Sequence, residues 1–313
     1  MRRLSSLLLL FSSIAGISAQ QPPAPGDVAV FTSDTRRVDL SVTVTDKGGK
    51  LVTDLPEKAF KVYENGVEQP LKLFKREDVP ISLGLIIDNS GSMKEKRQKV
   101  EIASIDLVKA SNPKDEVFIV NFNDEAYLDV EFTNDIKLMQ DGLSKIDARG
   151  GTAMRDAIDK SIDYLKKEGK RTKKVLLVVT DGNDNASTIN LEKLVNRARQ
   201  AEVLIFAIGL LNEEEKREAK AAKRSLDALA LESGGLSFYP KGLAEVDKIA
   251  LQVAHEIRNQ YSIVYAPIIA QLDGSFRQIK VTVNGPGHPI ARTRTGYYAT
   301  PDAAAKKTTS QTH

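Results

Sequence analysis

The stretch Leu83-Gly84-Leu85-Ile86-Ile87-Asp88-Asn89-Ser90-Gly91-Ser92-Met93 decides the fold of this chain. An apolar run of strand length stops at a carboxylate, and two serine hydroxyls follow at two-residue intervals. A continuous apolar strand is typical of a parallel sheet that is buried on both faces. Because the polar side chains come where the chain leaves the core, Asp88, Ser90 and Ser92 are predicted at one edge of such a sheet.

Two later segments end in the same way. Gly150-Gly151-Thr152 brings a third hydroxyl, and Val178-Val179-Thr180-Asp181-Gly182 brings a second carboxylate directly after a β-branched run. Ligands of open α/β sheets gather at the carboxyl ends of the strands, near the point where strand order reverses. If these strands are neighbours, Asp88 and Asp181 face one another. Thr152 follows two glycines that allow close backbone approach and precedes a predicted helix.

Five oxygen-bearing side chains therefore form a candidate metal site: Asp88, Ser90, Ser92, Thr152 and Asp181. Ligands that are all oxygen suit Mg²⁺, Mn²⁺ or Ca²⁺ rather than zinc or copper. Hydroxyls are neutral and weak donors, so a cation held mainly by them stays short of negative charge. The pattern predicts a docking point that a carboxylate of a protein partner completes.

At these residues the chain resembles the von Willebrand factor type A domain family. Asp88-Asn89-Ser90-Gly91-Ser92, Gly151-Thr152 and Thr180-Asp181-Gly182 are similar to the three pieces of that family's metal-ion-dependent adhesion site. The resemblance implies that Ser90, Ser92 and Thr152 coordinate the metal through hydroxyls. It also implies that Asp88 and Asp181 bind directly or through water and that an acidic partner residue completes the shell.

The flanking segments have a different period. Val38, Leu40, Val42 and Val44 alternate with polar residues, as do Tyr261, Ile263 and Tyr265, which is the pattern of half-buried strands. Asn65-Gly66 predicts a hairpin turn between strands 60–63 and 71–74, and a further strand is predicted over 292–298. The flanks also resemble those of bacterial exported proteins with a related domain. Neither flank has enough strands alone, so we expect them to pair.

These patterns predict an α/β fold class: a Rossmann-like, doubly wound, mainly parallel sheet inserted into a small all-β immunoglobulin-like sandwich. Alternating apolar strands and helical segments fill the middle of the chain. The predicted divisions are a signal peptide (1–19), a flexible lead (20–35), the N-terminal part of the sandwich (36–78), the type A domain (80–258), the C-terminal part of the sandwich (259–300) and a disordered tail (301–313).

The N-terminus predicts export. Arg2 and Arg3 precede the apolar stretch Leu7 to Ile17, and Ala19 ends a cleavage-site pattern. That stretch is shorter than the about 20 residues of a membrane-spanning helix. Removing residues 1–19 lowers the formal charge from +3 to about +1, which gives no reason to expect nucleic acid or an anionic membrane as partner. We expect a periplasmic or secreted protein with no integral membrane segment.

Composition and motifs argue against an enzyme. The sequence has no cysteine and only 3 histidines, which excludes thiol nucleophiles and disfavours a histidine metal cluster. Phosphoryl transfer of the haloacid dehalogenase type needs a second acid two residues after the nucleophilic aspartate, and here that residue is Ser90. Neither a phosphate-binding loop nor a Gly-x-Ser-x-Gly elbow is present.

Some alternatives remain open at this stage. The metal could merely brace the loops of a structural or assembly protein of the cell envelope. Asp88 to Ser92 taken alone could be a turn and a helix N-cap. Asp156 could reach the metal edge, although stabilising the helix N-terminus is the simpler interpretation. Asn183, Asp184 and Asn185 could shape the partner surface, although ending a loop is the simpler interpretation.

Overall fold

The computed structural model describes residues 37–76, 78–144, 148–211 and 216–300. The predicted signal peptide (1–19), lead (20–35) and tail (301–313) lie outside these residues. In chain order the strands are β1 (Val38–Thr45), β2 (Phe60–Glu64), β3 (Val67–Gln69), β4 (Leu71–Lys75), β5 (Ile81–Asp88), β6 (Glu116–Phe122), β7 (Ala126–Thr133), β8 (Lys173–Thr180), β9 (Leu204–Gly209), β10 (Ser237–Phe238), β11 (Tyr261–Tyr265), β12 (Phe276–Val283), β13 (Ile290–Arg292) and β14 (Gly296–Tyr298). The α-helices are α1 (Arg97–Lys109), α2 (Ile136–Ser144), α3 (Met154–Glu168), α4 (Leu191–Ala201), α5 (Lys216–Ser233) and α6 (Val246–Arg258).

A six-stranded sheet forms the middle of the molecule, in the order β10-β9-β8-β5-β6-β7. All neighbouring strands are parallel except β6 and β7, which are antiparallel. Every residue of β5 is buried, as the continuous apolar run predicted. The predicted α/β fold class, with a mainly parallel sheet, is confirmed.

Helices cover both faces of this sheet. Side chains of α1, α2 and α6 pack on one face, and side chains of α3, α4 and α5 pack on the other. Gly84 lies at the centre of β5, where a Cβ atom would come within 2.4 Å of the Phe118 ring and 2.6 Å of the Leu176 side chain. The central strand therefore needs a glycine at this position, because the neighbouring side chains already fill the space.

The flanking segments form two further four-stranded sheets, in the orders β13-β1-β11-β4 and β14-β12-β2-β3. Strands from the two ends of the chain pair directly in both sheets: Val38 lies opposite Tyr265, and Val62 lies opposite Val281. The apolar faces of the two sheets share one core. This agrees with the expectation that neither flank folds by itself, whereas the residue boundaries assigned to each division stay predictions.

Two strand predictions in the flanks were wrong. The turn at Asn65-Gly66, with φ angles of 48° and 82°, joins β2 to β3, whereas β4 leaves for the other sheet and pairs with β11. Pro70 separates β3 from β4 and has no N–H group for a continuing strand ladder, so the chain can change sheets there. The strand predicted over 292–298 is two strands, β13 on β1 and β14 on β12.

No helix in the described part of the chain is long and apolar enough to span a membrane.

Candidate functional site

The predicted site lies at the carboxyl ends of β5 and β8, where the connections diverge. β5 leads to α1 on one face of the sheet, and β8 leads to α4 on the other. A crevice opens between two parallel neighbours whose connections separate in this way. Asp88, which is 0 % exposed, is the last residue of β5, and the Thr180 hydroxyl donates to Asp88 Oδ2 at 2.6 Å.

Ser90, Ser92 and Asp181 form a hydrogen-bonded chain above Asp88. The Ser90 N–H donates to Asp88 Oδ1 at 2.8 Å, so the loop turns back over the carboxylate. Ser90 Oγ and Ser92 Oγ are 3.2 Å apart, and Ser92 Oγ donates to Asp181 Oδ1 at 2.8 Å. Four of the five predicted site residues are thus joined by direct hydrogen bonds.

Thr152, the fifth predicted residue, is brought to the same edge by backbone contacts. The Gly91 N–H donates to the Gly150 carbonyl at 3.3 Å, which joins the loop that carries Thr152 to the loop that carries Ser90 and Ser92. Thr152 Oγ1 lies 3.9 Å from where a Cβ atom on Gly182 would stand, next to Asp181. Its buried hydroxyl therefore faces the loop that carries the second carboxylate.

Two residues that the sequence argument did not assign to the site hold the Thr152 loop. Asp124 Oδ1 accepts from the Gly151 N–H at 2.8 Å, and a Cβ atom on Gly150, whose φ is +75°, would lie 2.2 Å from Asp124 Oδ2. Asn185 Oδ1 accepts from the Thr152 N–H at 2.9 Å, and the Asn185 N–H donates to the Thr152 carbonyl at 3.1 Å. Asn185 is therefore a positioning residue rather than only the end of a loop.

Asp156 does not cap the helix on which it lies. It accepts from the backbone N–H groups of Thr188 and Ile189, both at 3.0 Å, and from the Thr188 hydroxyl. Burial opposes the charge of Asp156, but these hydrogen bonds outweigh it and hold the pKa of the carboxyl below its usual value. Asp156 lies in the first turn of α3, and its hydrogen-bond partners lie 32 and 33 positions away, so its stabilisation of the α3 N-terminus through charge stays a prediction.

Lys96 is a third residue at the edge of the site, besides Asp124 and Asn185, that the sequence argument did not assign to it. Its ammonium forms an ion pair with Asp181 Oδ2, while Asp181 Oδ1 accepts from Ser92. The Lys96 side chain is 26 % exposed and the Asp181 side chain only 1 %. A lysine eight positions after Asp88 carries no local signal of this contact, because the partner lies 85 residues away.

The electrostatics of the cluster favour a cation. Burial raises the pKa of Asp88; hydrogen bonds from Thr180 and Ser90 lower it, and the charge of Asp181 raises it further. Arg97 reaches the backbone carbonyl of Asp88 at 3.4 Å, and no ion pair within 4.0 Å connects the Asp88 carboxylate to a basic group among the described residues. A buried carboxylate without a basic partner gains from a metal ion at its edge.

The spacing of the oxygens fits a small divalent cation. Neighbouring ligands of an octahedral ion with 2.0–2.1 Å bonds stand about 3 Å apart. The Ser90–Ser92 and Ser92–Asp181 oxygen separations of 3.2 and 2.8 Å lie on either side of this value. No group of three or more His, Cys, Asp or Glu side chains that could hold a metal occurs in the described ranges.

Comparison with known proteins identifies the central region. The family model of the von Willebrand factor type A domain matches residues 83–252, which is more than half of the chain. No curated protein matches the sequence.

Among solved structures, the chain is similar to an aerotolerance-related membrane protein from Bacteroides fragilis, with 15 % identity, 56 % of this chain and 98 % of that chain covered, and a TM-score of 0.47. It is similar to the vWF domain of the type V pili tip protein Mfa5 from Porphyromonas gingivalis, with 13 % identity, 57 % and 97 % covered, and a TM-score of 0.46. It is also similar to proximal thread matrix protein 1 from the mussel byssus with a zinc-occupied MIDAS motif, with 17 % identity, 62 % and 49 % covered, and a TM-score of 0.49.

Proposed function

The chain belongs to the von Willebrand factor type A domain family, and from this we propose its function. Its central domain binds a protein partner through a divalent cation held by Asp88, Ser90, Ser92, Thr152 and Asp181. When bound, the cation supplies a Lewis-acidic position that accepts a carboxylate oxygen of the partner. Mg²⁺ is the cation that we propose, with Mn²⁺ as a close substitute and Ca²⁺ less suited, because its longer bonds of 2.3–2.6 Å call for wider oxygen spacing.

One observation carries this proposal: the hydrogen-bonded chain from Ser90 through Ser92 to Asp181, directly above the buried Asp88. Three hydroxyls and two carboxylates leave a divalent cation with few anionic ligands. In this chain the carboxylates also have other tasks, since Asp88 accepts from Thr180 and Asp181 accepts from Lys96. A cation held here keeps affinity for a further anionic ligand.

The site is accessible from one side. Asp88, Ser90, Thr152 and Asp181 are buried, whereas Gly91 and Ser92 are exposed. A partner's carboxylate would approach over Gly91, which has no side chain to block it. This combination of buried donors and an open rim supports recognition of a partner.

A cation that only braces the loops is the weaker alternative. The loops are already joined without one: the Arg149 N–H donates to the Asn89 carbonyl at 3.0 Å, Gly91 bonds to Gly150, and Asn185 bonds to Thr152. Because these hydrogen bonds already connect all three loops, a cation would add little to holding them together.

The same geometry supports a binding protein rather than an enzyme. The site holds no histidine, and Ser92, its exposed hydroxyl, donates to Asp181, a carboxylate that is itself paired with Lys96. We further propose that the protein is exported and that the type A domain occupies residues 80–258 of the divisions assigned from sequence.

Mn²⁺ binding to the full chain tests the proposal. We expect electron paramagnetic resonance to detect one bound Mn²⁺ per chain and acetate to displace water from that ion, as measured by water proton relaxation. Asp88→Ala should remove binding, and Ser92→Ala should weaken it, because each deletes an oxygen of the cluster. Saturation with Mg²⁺ at about 100 times its Kd should raise the free energy of unfolding by about 2.7 kcal/mol.

Ser144→Ala is the matched control, since Ser144 is an exposed serine at the end of α2. It should bind Mn²⁺ as the wild-type protein does. Equal Mn²⁺ binding by the Asp88→Ala variant would refute the assigned site. If acetate leaves the relaxation of bound Mn²⁺ unchanged while the ion still stabilises the fold, the cation only braces the loops.

A further inference from the structure

We propose that Lys96 tunes the site in two opposite directions: it weakens cation binding and strengthens the capture of the partner's carboxylate. This inference rests on the proposed function. It concerns a residue that lies outside the five hydroxyl and carboxylate ligands and contacts them at Asp181.

The position of Lys96 is fixed by the backbone. A short 3₁₀ turn over Gly91–Met93 follows Ser90, and the Lys96 N–H donates to the Met93 carbonyl at 2.8 Å. The Lys96 carbonyl accepts from the Val100 N–H at 3.1 Å, at the start of α1. The lysine therefore projects from a rigid junction and not from a mobile loop.

Lys96 and a divalent cation would share the same carboxylate. The ammonium is on Asp181 Oδ2, and the Ser92 hydroxyl is on Asp181 Oδ1. Both oxygens of this nearly inaccessible carboxylate are thus engaged by the chain. Binding of a cation next to Asp181 must weaken the ion pair or proceed beside a like charge, and either costs affinity.

The charge of the cluster explains the second effect. Asp88 and Asp181 together carry two negative charges, which a divalent cation alone would neutralise. With Lys96 in place, the loaded cluster has an excess of one positive charge, next to the exposed rim at Ser92. That excess favours an incoming carboxylate, so the same residue that lowers metal affinity raises anion affinity.

Lys96→Met separates the two effects, because methionine keeps an unbranched apolar stem and removes the charge. In the full chain, we expect calorimetry to show Mn²⁺ binding about tenfold tighter in this variant, the scale of one partly screened charge near the ion. Acetate binding to the Mn²⁺-loaded protein should become several-fold weaker. A role that is only structural would not move the two affinities in opposite directions.

Lys94→Met is the matched control, since Lys94 is an exposed lysine two residues away on the same turn. Its Mn²⁺ and acetate affinities should stay within about twofold of wild type, because solvent screens its charge. Equal Mn²⁺ affinity in wild type and Lys96→Met overturns this inference and leaves the metal site standing, as does an equal change in both lysine variants. If none of the three proteins binds Mn²⁺, the proposed function fails as well.

Discussion

Asp88 and Glu64 are both buried carboxylates, and their surroundings differ. Glu64 lies between the two sheets of the sandwich and is 3 % exposed; its Oε2 accepts from the hydroxyls of Tyr265 at 2.7 Å and Tyr297 at 2.9 Å. Its Oε1 faces Arg277, also 3 % exposed, at 3.4 Å. Asp88 has hydroxyl and N–H donors but no cationic side chain on its carboxylate, and it lies below an open rim.

The difference shows that burial of an acid does not by itself mark a binding site. The cluster around Glu64 is closed, because the Arg277 guanidinium and the hydroxyls of Tyr265 and Tyr297, from three other strands, satisfy the carboxylate. Burial raises the pKa of Tyr265, and its hydrogen bond to Glu64 raises it further, so the phenol stays a donor. A carboxylate that is satisfied inside the chain stabilises the fold, whereas one that shares hydroxyls with an exposed rim can bind a ligand.

Arg277→Met is expected to have the largest effect on stability. It leaves Glu64 as a buried charge without its basic partner, so the free energy of unfolding should fall by about 3 kcal/mol. Chemical denaturation measures this change. Mn²⁺ affinity should stay at its wild-type value, because Arg277 belongs to the sandwich and not to the sheet edge that holds Asp88. Lys280→Met, at an exposed position of the same strand, is the control and should change stability by less than about 0.5 kcal/mol. Equal stability of both variants would contradict the structural role assigned to the Glu64 cluster.

Lys173, a partly buried lysine, begins β8 at the end opposite the candidate site. Its ammonium donates to the Ile257 carbonyl at 2.6 Å, and burial lowers its pKa from 10.5 to about 8 despite Asp78 and Asp115. Between pH 8 and pH 10.5 the unfolded chain holds this proton more tightly than the folded chain. The stability of wild type relative to Lys173→Met should therefore rise with pH across this window, by about 1 to 2 kcal/mol.

Thermal or urea unfolding at pH 7.5 and pH 10 measures that difference. The exposed Lys170→Met variant should show no such change relative to wild type. If the difference in stability between wild type and Lys173→Met does not change with pH, Lys173 keeps an ordinary affinity for its proton in the folded protein.

Asp156→Asn is expected to have the smallest effect. It weakens the hydrogen bonds from the Thr188 and Ile189 N–H groups, which fix the loop before α4, and should cost about 1 kcal/mol of stability. Because the pKa of Asp156 is held below its usual value, this contribution is present above about pH 4 and is lost as the pH falls below that value. Mn²⁺ titration provides the second measurement. A large loss of Mn²⁺ affinity in this variant would place Asp156 among the ligands instead.

The central elements and the residue types of the candidate site could be predicted from the amino-acid sequence. Each depends on residues that are close in sequence: a buried strand is an unbroken apolar run, and hydroxyls follow where that run ends. The apolar run over 81–88 therefore predicted a buried strand of a mainly parallel sheet. The residues of the three motif pieces predicted oxygen ligands at one edge of that sheet. The distances between those oxygens came from the structure.

Contacts between groups that are distant in sequence could be found only in the folded structure. Lys96 finds Asp181 across 85 residues, Asp156 finds Thr188 across 32, and β4 leaves the hairpin of β2 and β3 for the opposite sheet. Local sequence patterns do not specify such contacts, because a charged side chain or a strand edge can pair with many different partners. The packing of the whole chain selects one of them.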